Sequence, residues 1–160
     1  MRSEEETNRA IELDSEMIQR LCMIHLKNHA DTEDIFQTVF LKYLTSEVVF
    51  ENASHEKAWF IRVTINACKD LLKSFFRRQT VPMDEVSELP ATFSPEDHEI
   101  FNAVRSLPKK YKDVVYLHFY EGYTAPEIGD ILGKNVNTVY TLLTRSKKLL
   151  KEKLGGDDYE

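Results

Sequence analysis

The sequence predicts an all-α protein with two small helical domains joined by an acidic linker, the C-terminal domain containing a helix-turn-helix. Three observations support this fold class. The 160 residues include only five glycines and five prolines, and apolar residues recur at helical rather than alternating spacing. Three of the prolines, Pro82, Pro90 and Pro95, lie within one acidic stretch, residues 80–99, which divides the chain. Beyond it, a short amphipathic segment, a Gly-Lys turn and a longer amphipathic segment follow one another.

The first domain, residues 1–79, is predicted to contain three helices. The first is expected over Ile11–Asn28, and its apolar face comprises Ile11, Leu13, Met17, Ile18, Leu21, Ile24 and His25. The second begins near Asp31, because acidic residues in a first turn interact favourably with the helix dipole. Its expected buried residues are Ile35, Phe36, Val39, Phe40 and Tyr43. The third runs from about Glu56 to Arg78, after a polar joint at residues 52–56.

The third helix carries a stripe of basic and polar residues on one side. Spacings of three and four place its members on one face: Arg62, Asn66, Lys69, Lys73 and Arg77. The opposite face is apolar and comprises Phe60, Val63, Ala67 and Leu71. Because an isolated basic stripe is commonly just a solvated helix face, this pattern indicates nucleic-acid binding only together with other features.

Charge is distributed unevenly along the chain. The net charge is −6, yet residues 100–154 contain ten basic and five acidic side chains. Residues 80–99 contain six acidic and no basic side chains, and the tail, residues 155–160, is acidic as well. We interpret residues 80–96 as a flexible linker, with an ordered loop as the alternative. A local excess of positive charge matters more for DNA contact than the total charge.

The second domain, residues 97–154, is predicted to begin with two helices. The first follows Ser94 and Pro95, which suit a helix start. Its apolar stripe comprises Ile100, Ala103, Val104 and Leu107. The second is expected over Lys109–Tyr120, and its buried residues are Tyr111, Val114, Val115, Leu117 and either His118 or Phe119. Gly122 suits the left-handed conformation that ends a helix.

A helix-turn-helix is predicted after Gly122. Thr124 and Glu127 have the spacing of a capping box, and Pro126 suits a first turn. The short helix that follows is expected to bury Ile128, Ile131 and Leu132, with Gly129 placed where two helices could cross closely. Gly133 and Lys134 form the turn, Asn135 caps the last helix, and that helix runs from Val136 to about Leu154.

The last helix has a face suited to reading DNA. In a helix-turn-helix the first turns of the second helix enter the major groove, where asparagine can pair with adenine and arginine with guanine. The residues expected to be exposed there are Asn137, Thr138, Tyr140, Thr141, Thr144, Arg145 and Lys148. Lysines at 147, 148, 151 and 153 can neutralise phosphates. The alternative is a plain helical bundle with a basic terminal helix.

In this order, the segments resemble an extracytoplasmic-function (ECF) sigma factor of bacterial RNA polymerase. Residues 31–40, DTEDIFQTVF, are similar to the family's D-x-E-D-x-x-Q-x-x-F helix, and residues 58–66, AWFIRVTIN, to its A-W-L-x-R-I-A-x-N segment. Residues 107–114, LPKKYKDV, resemble L-P-x-x-x-R-x-V, and residues 122–129, GYTAPEIG, resemble G-x-S-x-x-E-I-A. Thr138-Val139 with Arg145 match the recognition helix.

The resemblance implies a transcription initiation factor, not an enzyme, that binds core RNA polymerase, recognises −35 and −10 promoter elements and assists promoter opening. The first domain would be sigma region 2 and the second sigma region 4. Residues implied to bind the β′ clamp helices are Asp31, Glu33, Asp34, Gln37 and Phe40. Residues implied to meet the −10 element are Arg62, Asn66, Lys69 and Lys73. The further implied partners are the polymerase β flap and an anti-sigma factor.

Four positions depart from the family pattern. The family usually has Glu at Thr38, Ala at Gly129, a basic residue at Tyr140 and often Arg at Leu142. The loss of positive charge at Tyr140 is expected to weaken phosphate attraction, and the four departures together leave the promoter sequence open. Aromatic candidates for stacking on an extruded base are Trp59, Phe75 and Phe76, although core packing is the favoured role for each.

Other chemistry is poorly supported by the sequence. No phosphate loop, nucleophile motif or acid–base pair stands out, and no cofactor is expected. Cys22, His25 and His29 have helical spacing, but they lack a clear fourth ligand, so no metal site is expected. The two cysteines and the absence of an apolar leader or membrane segment indicate a cytoplasmic protein. The alternatives are a sigma-like DNA-binding regulator that does not support initiation, and an interaction protein that does not bind DNA.

Overall fold

The computed structural model describes residues 1–26, 28–77 and 95–155, whose regular secondary structure is entirely helical. The all-α prediction is therefore confirmed. The chain forms two compact units on either side of residues 78–94, here called unit 1 and unit 2. Most of the predicted linker and acidic tail lies outside the described residues. Among the described helices, none combines the length and apolar character needed to span a membrane.

Unit 1 consists of three helices that all pack on one another, α1 (Glu4–His25), α2 (His29–Thr45) and α3 (Ala53–Arg77). α1 begins well before the predicted start, because the Ser3 side chain accepts a hydrogen bond from the Glu6 backbone N–H at 3.1 Å. The predicted apolar face was wrong at Ile11 and Leu13, which are 36% and 61% exposed. The buried face instead comprises Ala10, Asp14, Met17, Ile18, Leu21, Cys22, Ile24 and His25.

The starts of α2 and α3 are determined by asparagine caps. The Asn28 side chain accepts a hydrogen bond from the Asp31 backbone N–H at 2.7 Å, and Asn52 accepts one from the His55 N–H at 2.9 Å. α3 therefore begins at Ala53, and the predicted polar joint at residues 52–56 was wrong because most of it is the first turn of this helix.

An aromatic cluster forms much of the core of unit 1. The Phe60 ring is fully buried and lies 4.9 Å from the Tyr43 ring, 5.2 Å from Phe40 and 5.2 Å from Trp59, measured between centroids. Burial, followed by the nearby Glu56 carboxylate, raises the pKa of Tyr43 to about 12, so its neutral hydroxyl donates to Glu56 at 3.1 Å. The half-buried Trp59 ring packs in this cluster, with centroids 5.9 Å from Tyr43 and 5.2 Å from Phe60. The side chains of residues 75–77 lie outside what the structure describes.

Replacing Thr64 with valine is expected to stabilise unit 1. Thr64 is fully buried, and within the described part of the chain its hydroxyl has no hydrogen-bond partner. Because an unpaired buried hydroxyl costs about 1–3 kcal/mol, the Thr64→Val change should raise the free energy of unfolding by about 1 kcal/mol. Urea unfolding followed by the fluorescence of Trp59, the only tryptophan, measures this. Thr64→Ser, which keeps the hydroxyl, should destabilise; equal stability of wild type and Thr64→Val would contradict the prediction.

Unit 2 contains α4 (Pro95–Arg105), α5 (Lys109–Val115), a π-helical turn (Tyr116–Tyr120), α6 (Ala125–Leu132) and α7 (Val136–Leu154). α7 packs against α4, α5 and α6 and so lies at the centre of this unit. The fully buried side chains of unit 2 include Phe101, Val104, Leu117, Ile128 and Val139. The predicted stripe of α4 omitted Phe101, which is buried, while Ile100 is only half-buried.

The π-helical turn was not predicted and changes which residues face the core. The Glu121 backbone N–H donates to the Tyr116 carbonyl at 3.3 Å, five residues back instead of four. The longer turn shifts the register, so Tyr116 is fully buried. The expectation that His118 or Phe119 is buried was wrong, since His118 is half-buried and Phe119 is 49% exposed.

Candidate nucleic-acid interface

The predicted caps of the helix-turn-helix are present in α6 and α7. The Thr124 hydroxyl accepts from the Glu127 N–H at 3.3 Å while the Glu127 carboxylate accepts from the Thr124 N–H at 2.9 Å, which confirms the capping box. Gly133 ends α6 in the left-handed conformation with φ 67°. The Asn135 side chain accepts from the Asn137 N–H at 2.8 Å and so begins α7. These local contacts define the direction in which α7 leaves the turn.

Gly129 is required by the close approach of the turn that leads into α7. A β-carbon at this position would lie 2.8 Å from the Lys134 carbonyl oxygen, which is closer than real β-carbon contacts. The Lys134 N–H also donates to the Gly129 carbonyl at 2.9 Å, so the turn folds directly over this residue. A β-carbon would also lie 3.8 Å from the backbone nitrogen of Val136, the first residue of α7, so both the turn and the start of the next helix approach Gly129 closely.

The capping box should make the stability of unit 2 depend on pH through Glu127. Hydrogen bonds from the Thr124 backbone and then its hydroxyl lower the pKa of Glu127 below its ordinary value of 4.5. The ionised cap therefore stabilises the folded state above the ordinary pKa, and this contribution is lost as pH falls through the lowered folded-state pKa. Glu127→Gln should be less stable than wild type near neutral pH, and the difference should close in acid.

Urea unfolding followed by NMR signals of α6 at several pH values measures this difference. Glu152→Gln, at an exposed position near the end of α7, removes the same charge without a cap and serves as the control. A stability difference between wild type and Glu127→Gln that stays constant into acid would contradict the role of the carboxylate.

One side of α7 is exposed, and we call it the recognition face. Its members are Asn137, Thr138, Tyr140, Thr141, Thr144, Arg145 and Lys148, all of which are exposed. The other side, comprising Val139, Leu142, Leu143 and Ser146, is buried. The hydroxyls of Thr141 and Thr144 donate to backbone carbonyls one turn back, at 3.0 and 2.9 Å. Their methyl groups and oxygen lone pairs remain available to a base.

Leu142 does not belong to the recognition face. It is only 7% exposed and packs into unit 2, so its lack of charge removes no contact from the exposed surface. Tyr140, which is 54% exposed, is the uncharged departure that the recognition face does contain.

α3 carries the second predicted DNA-binding set, which we call the basic stripe and which comprises Arg62, Asn66, Lys69 and Lys73. Arg62, Asn66 and Lys73 are exposed, and Lys69 is half-buried. The continuous helix keeps them at spacings of three and four residues along one face. Phe60, Ile61 and Ala67 are buried on the side that packs against α1 and α2.

The residues of α2 that were predicted to bind the polymerase differ in exposure. Glu33, Asp34 and Gln37 are exposed and form what we call the acidic surface. Asp31 is half-buried, and its carboxylate accepts from the Asn28 side-chain amide at 2.7 Å. Phe40 is only 7% exposed, with its ring 5.2 Å from Phe60, so its expected burial is confirmed and it supports this helix from the core.

A cleft of about 320 Å³ opens beside the acidic surface, between α1 and α2. The residues that line it are Gln19, His29, Thr32, Glu33, Phe36 and Gln37. The position of Gln19 in this cleft could not be predicted from the sequence, because this residue is on α1 and reaches the cleft only through helix packing. The cleft adds polar groups and a phenylalanine ring to a surface otherwise defined by charge.

Cys22, His25 and His29 do not share a helix. α1 ends at His25, and His29 is the first residue of α2, where its ring lies 3.2 Å from the Glu33 carboxylate. Cys22 and His25 are buried, whereas the side chain of His29 is 77% exposed. Within the described residues no group of three potential ligands has metal-binding geometry. The spacing of these residues therefore does not place them on one helix, because α1 ends before His29.

Two family profiles and several proteins are similar to this chain. Residues 11–79 match the profile for sigma-70 region 2, and residues 97–150 match the profile for sigma-70 region 4. RNA polymerase sigma factor SigV of Bacillus subtilis is 32% identical over 143 residues, which cover 87% of this chain and 85% of SigV. RNA polymerase sigma factor CarQ of Myxococcus xanthus is 25% identical over 136 residues, covering 81% of this chain and 78% of CarQ.

A solved structure shows the same fold. It contains the sigma factor RpoE in complex with the anti-sigma factor NepR from Bartonella quintana. The similarity has a TM-score of 0.82 at 20% identity and covers 96% of this chain and 99% of that chain.

Proposed function

Because this chain belongs to the sigma-70 family, in its extracytoplasmic-function group, and is a transcription initiation factor, we propose that it binds core RNA polymerase and opens promoters bearing −35 and −10 elements. The observation that carries the proposal is that two separate exposed cationic faces and an acidic surface occur in one chain. A lone helix-turn-helix regulator needs neither the basic stripe nor the acidic surface. We also propose that the chain acts in the cytoplasm and has no catalytic activity of its own.

The recognition face is proposed to read the −35 element. Arg145 can donate two parallel hydrogen bonds to guanine, and Asn137 can pair with adenine in the major groove. The buried side of α7 supports this orientation, since Val139 and Leu143 hold the helix against the rest of unit 2. The lysine at position 148, also exposed, is suited to a phosphate.

The basic stripe is proposed to meet the −10 element. Arg62, Lys69 and Lys73 supply positive charge along several turns of α3, and the exposed amide of Asn66 can donate to and accept from a base edge. A helix face of this length can follow successive phosphates of one strand. Unit 1 would therefore hold the promoter where strands separate, while unit 2 holds the duplex upstream.

The acidic surface is proposed to bind the β′ clamp helices of the polymerase, with unit 2 contacting the β flap. Charge reversal by Asp34→Lys should reduce affinity for core polymerase by about tenfold or more, because like charges would then face each other across the interface. Fluorescence anisotropy of the labelled chain titrated with core polymerase measures this affinity. Glu12→Lys changes the same charge at an exposed position of α1 and should have little effect. Equal losses from both variants would contradict a specific acidic surface.

Run-off transcription tests the whole proposal. Purified chain, core polymerase and fragmented genomic DNA of the source organism are combined, and the 5′ ends of transcripts are sequenced. We expect starts at a limited set of sites that share upstream motifs and that core polymerase alone does not use. Specific DNA binding without initiation would favour a regulator that does not support initiation. Core binding without salt-dependent DNA binding would favour an interaction protein.

An anti-sigma factor is proposed as a further partner. RpoE, whose fold is similar, forms a complex with the anti-sigma factor NepR. A partner of this kind would compete with core polymerase for the acidic surface of unit 1. The core-binding titration described above tests this when repeated with the candidate partner present; unchanged affinity for core polymerase and unchanged run-off would contradict it.

A further inference from the structure

Arg2, which precedes α1, is tied to the C-terminal end of α2. Its side chain is only 9% exposed. Nε donates to the Tyr43 carbonyl at 2.9 Å, and the Arg2 backbone N–H donates to the Leu44 carbonyl at 3.2 Å. These carbonyls belong to the last turn of α2, where a cation interacts favourably with the helix dipole, and the Tyr43 carbonyl accepts from the Ser46 N–H at 3.3 Å as well. Arg2 therefore caps α2 from outside the helix.

The same guanidinium reaches the α2–α3 loop, residues 46–52. It donates to the Val48 carbonyl, and its central carbon lies 4.5 Å from the Tyr43 ring centroid and 4.9 Å from that of Phe50. The rings of Tyr43 and Phe50 are stacked with an interplanar angle of 11°. One side chain therefore connects the end of α2, a loop carbonyl and a loop aromatic ring.

The loop that Arg2 holds exposes two apolar side chains. Val49 is 86% exposed and Val48 is 41% exposed. The Arg2 guanidinium holds both the Val48 carbonyl and the Phe50 ring, which lie on either side of Val49. These contacts restrict the backbone that carries the two valines. Such preorganisation reduces the conformational entropy that would be lost when they contact a partner.

The loop also adjoins the face of α3 that carries the basic stripe. The Phe50 ring lies 5.2 Å from the His55 ring and 5.8 Å from the Trp59 ring. His55 and Trp59 precede Arg62 at the spacings that place side chains on one helix face. The loop that carries the exposed valines therefore adjoins, through Phe50, the end of the face on which the proposed −10 contacts continue.

We propose that Arg2 is a positioning residue for promoter opening, holding the α2–α3 loop so that Val48 and Val49 contact bases of the separated strand. The inference rests on the proposed function. Apolar side chains placed at a base step favour unstacking, while nearby cations hold the phosphates of the same strand. The Arg2 guanidinium is buried against α2 and the loop, so it acts through the loop and does not itself touch DNA.

The test compares two templates with full-length chain and core polymerase. One is a promoter found by the genomic run-off experiment, and the other is the same promoter made non-complementary across the −10 region. Arg2→Ala should lower run-off from the duplex by about tenfold, equivalent to about 1.4 kcal/mol, because the loop no longer assists strand separation. On the premelted template its activity should be within about twofold of wild type, a difference below about 0.4 kcal/mol. Arg2→Lys, which keeps the charge but not the planar fork of donors, should be intermediate on the duplex.

Two further variants separate positioning from folding. Arg9→Ala removes the same charge from an exposed position of α1 and should behave as wild type. Val49→Ser changes a side chain that is almost fully exposed, so it should fold normally and show the same duplex-specific defect as Arg2→Ala. Trp59 fluorescence and core binding, measured for every variant, report the state of unit 1.

The outcomes are distinguishable. Equal losses on both templates, or wild-type activity of Arg2→Ala on the duplex, would overturn the inference. If Arg2→Ala unfolds unit 1, Val49→Ser decides: duplex activity equal to wild type overturns the inference, and a duplex-specific loss supports it. A wild-type chain that initiates on neither template would contradict the proposed function itself.

Discussion

Replacing Phe60 with alanine is expected to lower the free energy of unfolding of unit 1 by about 3–5 kcal/mol. The Phe60 ring is fully buried and packs against the rings of Phe40, Tyr43 and Trp59. Its removal therefore loses both buried apolar area and the aromatic contacts across α2 and α3. Since a small domain is typically stable by only about 5–15 kcal/mol, unit 1 would be marginally stable or unfolded.

Trp59 provides a direct measurement, because it is the only tryptophan and contacts Phe60. Urea unfolding of wild type and Phe60→Ala, followed by tryptophan fluorescence, gives the change in unit 1. Leu41→Ala is the matched control, since Leu41 is 62% exposed on α2 and its truncation should change stability by less than about 0.5 kcal/mol. A loss below about 1 kcal/mol for Phe60→Ala would contradict the central position of this ring.

The loss of structure caused by Phe60→Ala should be confined to unit 1. Destabilising the aromatic cluster should abolish core binding and run-off transcription, because the acidic surface and the basic stripe both depend on the packing of α2 and α3. NMR signals of α6 and α7 in Phe60→Ala would report whether the helix-turn-helix is retained. Loss of those signals together with the Trp59 transition would instead mean that the two units unfold cooperatively.

Replacing Arg145 with alanine is expected to weaken promoter binding by about 1–3 kcal/mol, or roughly 5- to 150-fold. Arg145 is exposed on the recognition face, and its planar guanidinium can satisfy two guanine acceptors at once. An unpaired guanine edge would be left in the complex when the side chain is removed. Because the contact is to a base, the variant should also tolerate other base pairs at one position of the −35 element.

Competition among promoters with single substitutions in the −35 element, at two salt concentrations, measures both effects. Lys148→Ala is the matched comparison, because Lys148 is exposed less than one turn further along α7 and is proposed to contact a phosphate. It should weaken all sequences uniformly and lower the log–log salt slope by about one. Uniform weakening by Arg145→Ala would show that Arg145 binds the backbone and does not read a base.

Local hydrogen bonds account for the parts of the helix-turn-helix that the sequence analysis predicted correctly. The capping box joins Thr124 and Glu127, and the cap of α7 joins Asn135 and Asn137, so all partners lie within three residues. Interactions this short depend little on the rest of the chain. Spacing along one helix likewise predicted the exposed recognition face, because alternation of buried and exposed residues on α7 follows directly from helical geometry.

Longer-range features were missed or misjudged. The π-helical turn depends on how Tyr116 packs and on a bond between residues 116 and 121, and it reversed the expected burial at Phe119. Leu142 was compared with a charged family position, yet its environment is the interior of unit 2. The start of α3 was misplaced because Asn52 was interpreted as part of a polar joint and not as a cap.

Helical periodicity, short-range capping and ordered motifs were enough to predict the all-α class, the capped helix-turn-helix and the family, because each is recorded in neighbouring residues. The packing of separate helices was needed to show that Ile11 and Leu13 are exposed and that Arg2 holds the α2–α3 loop more than 40 residues away in sequence. Burial and long-range hydrogen bonds arise from the packing of separate helices, and the spacing within one helix does not contain that information.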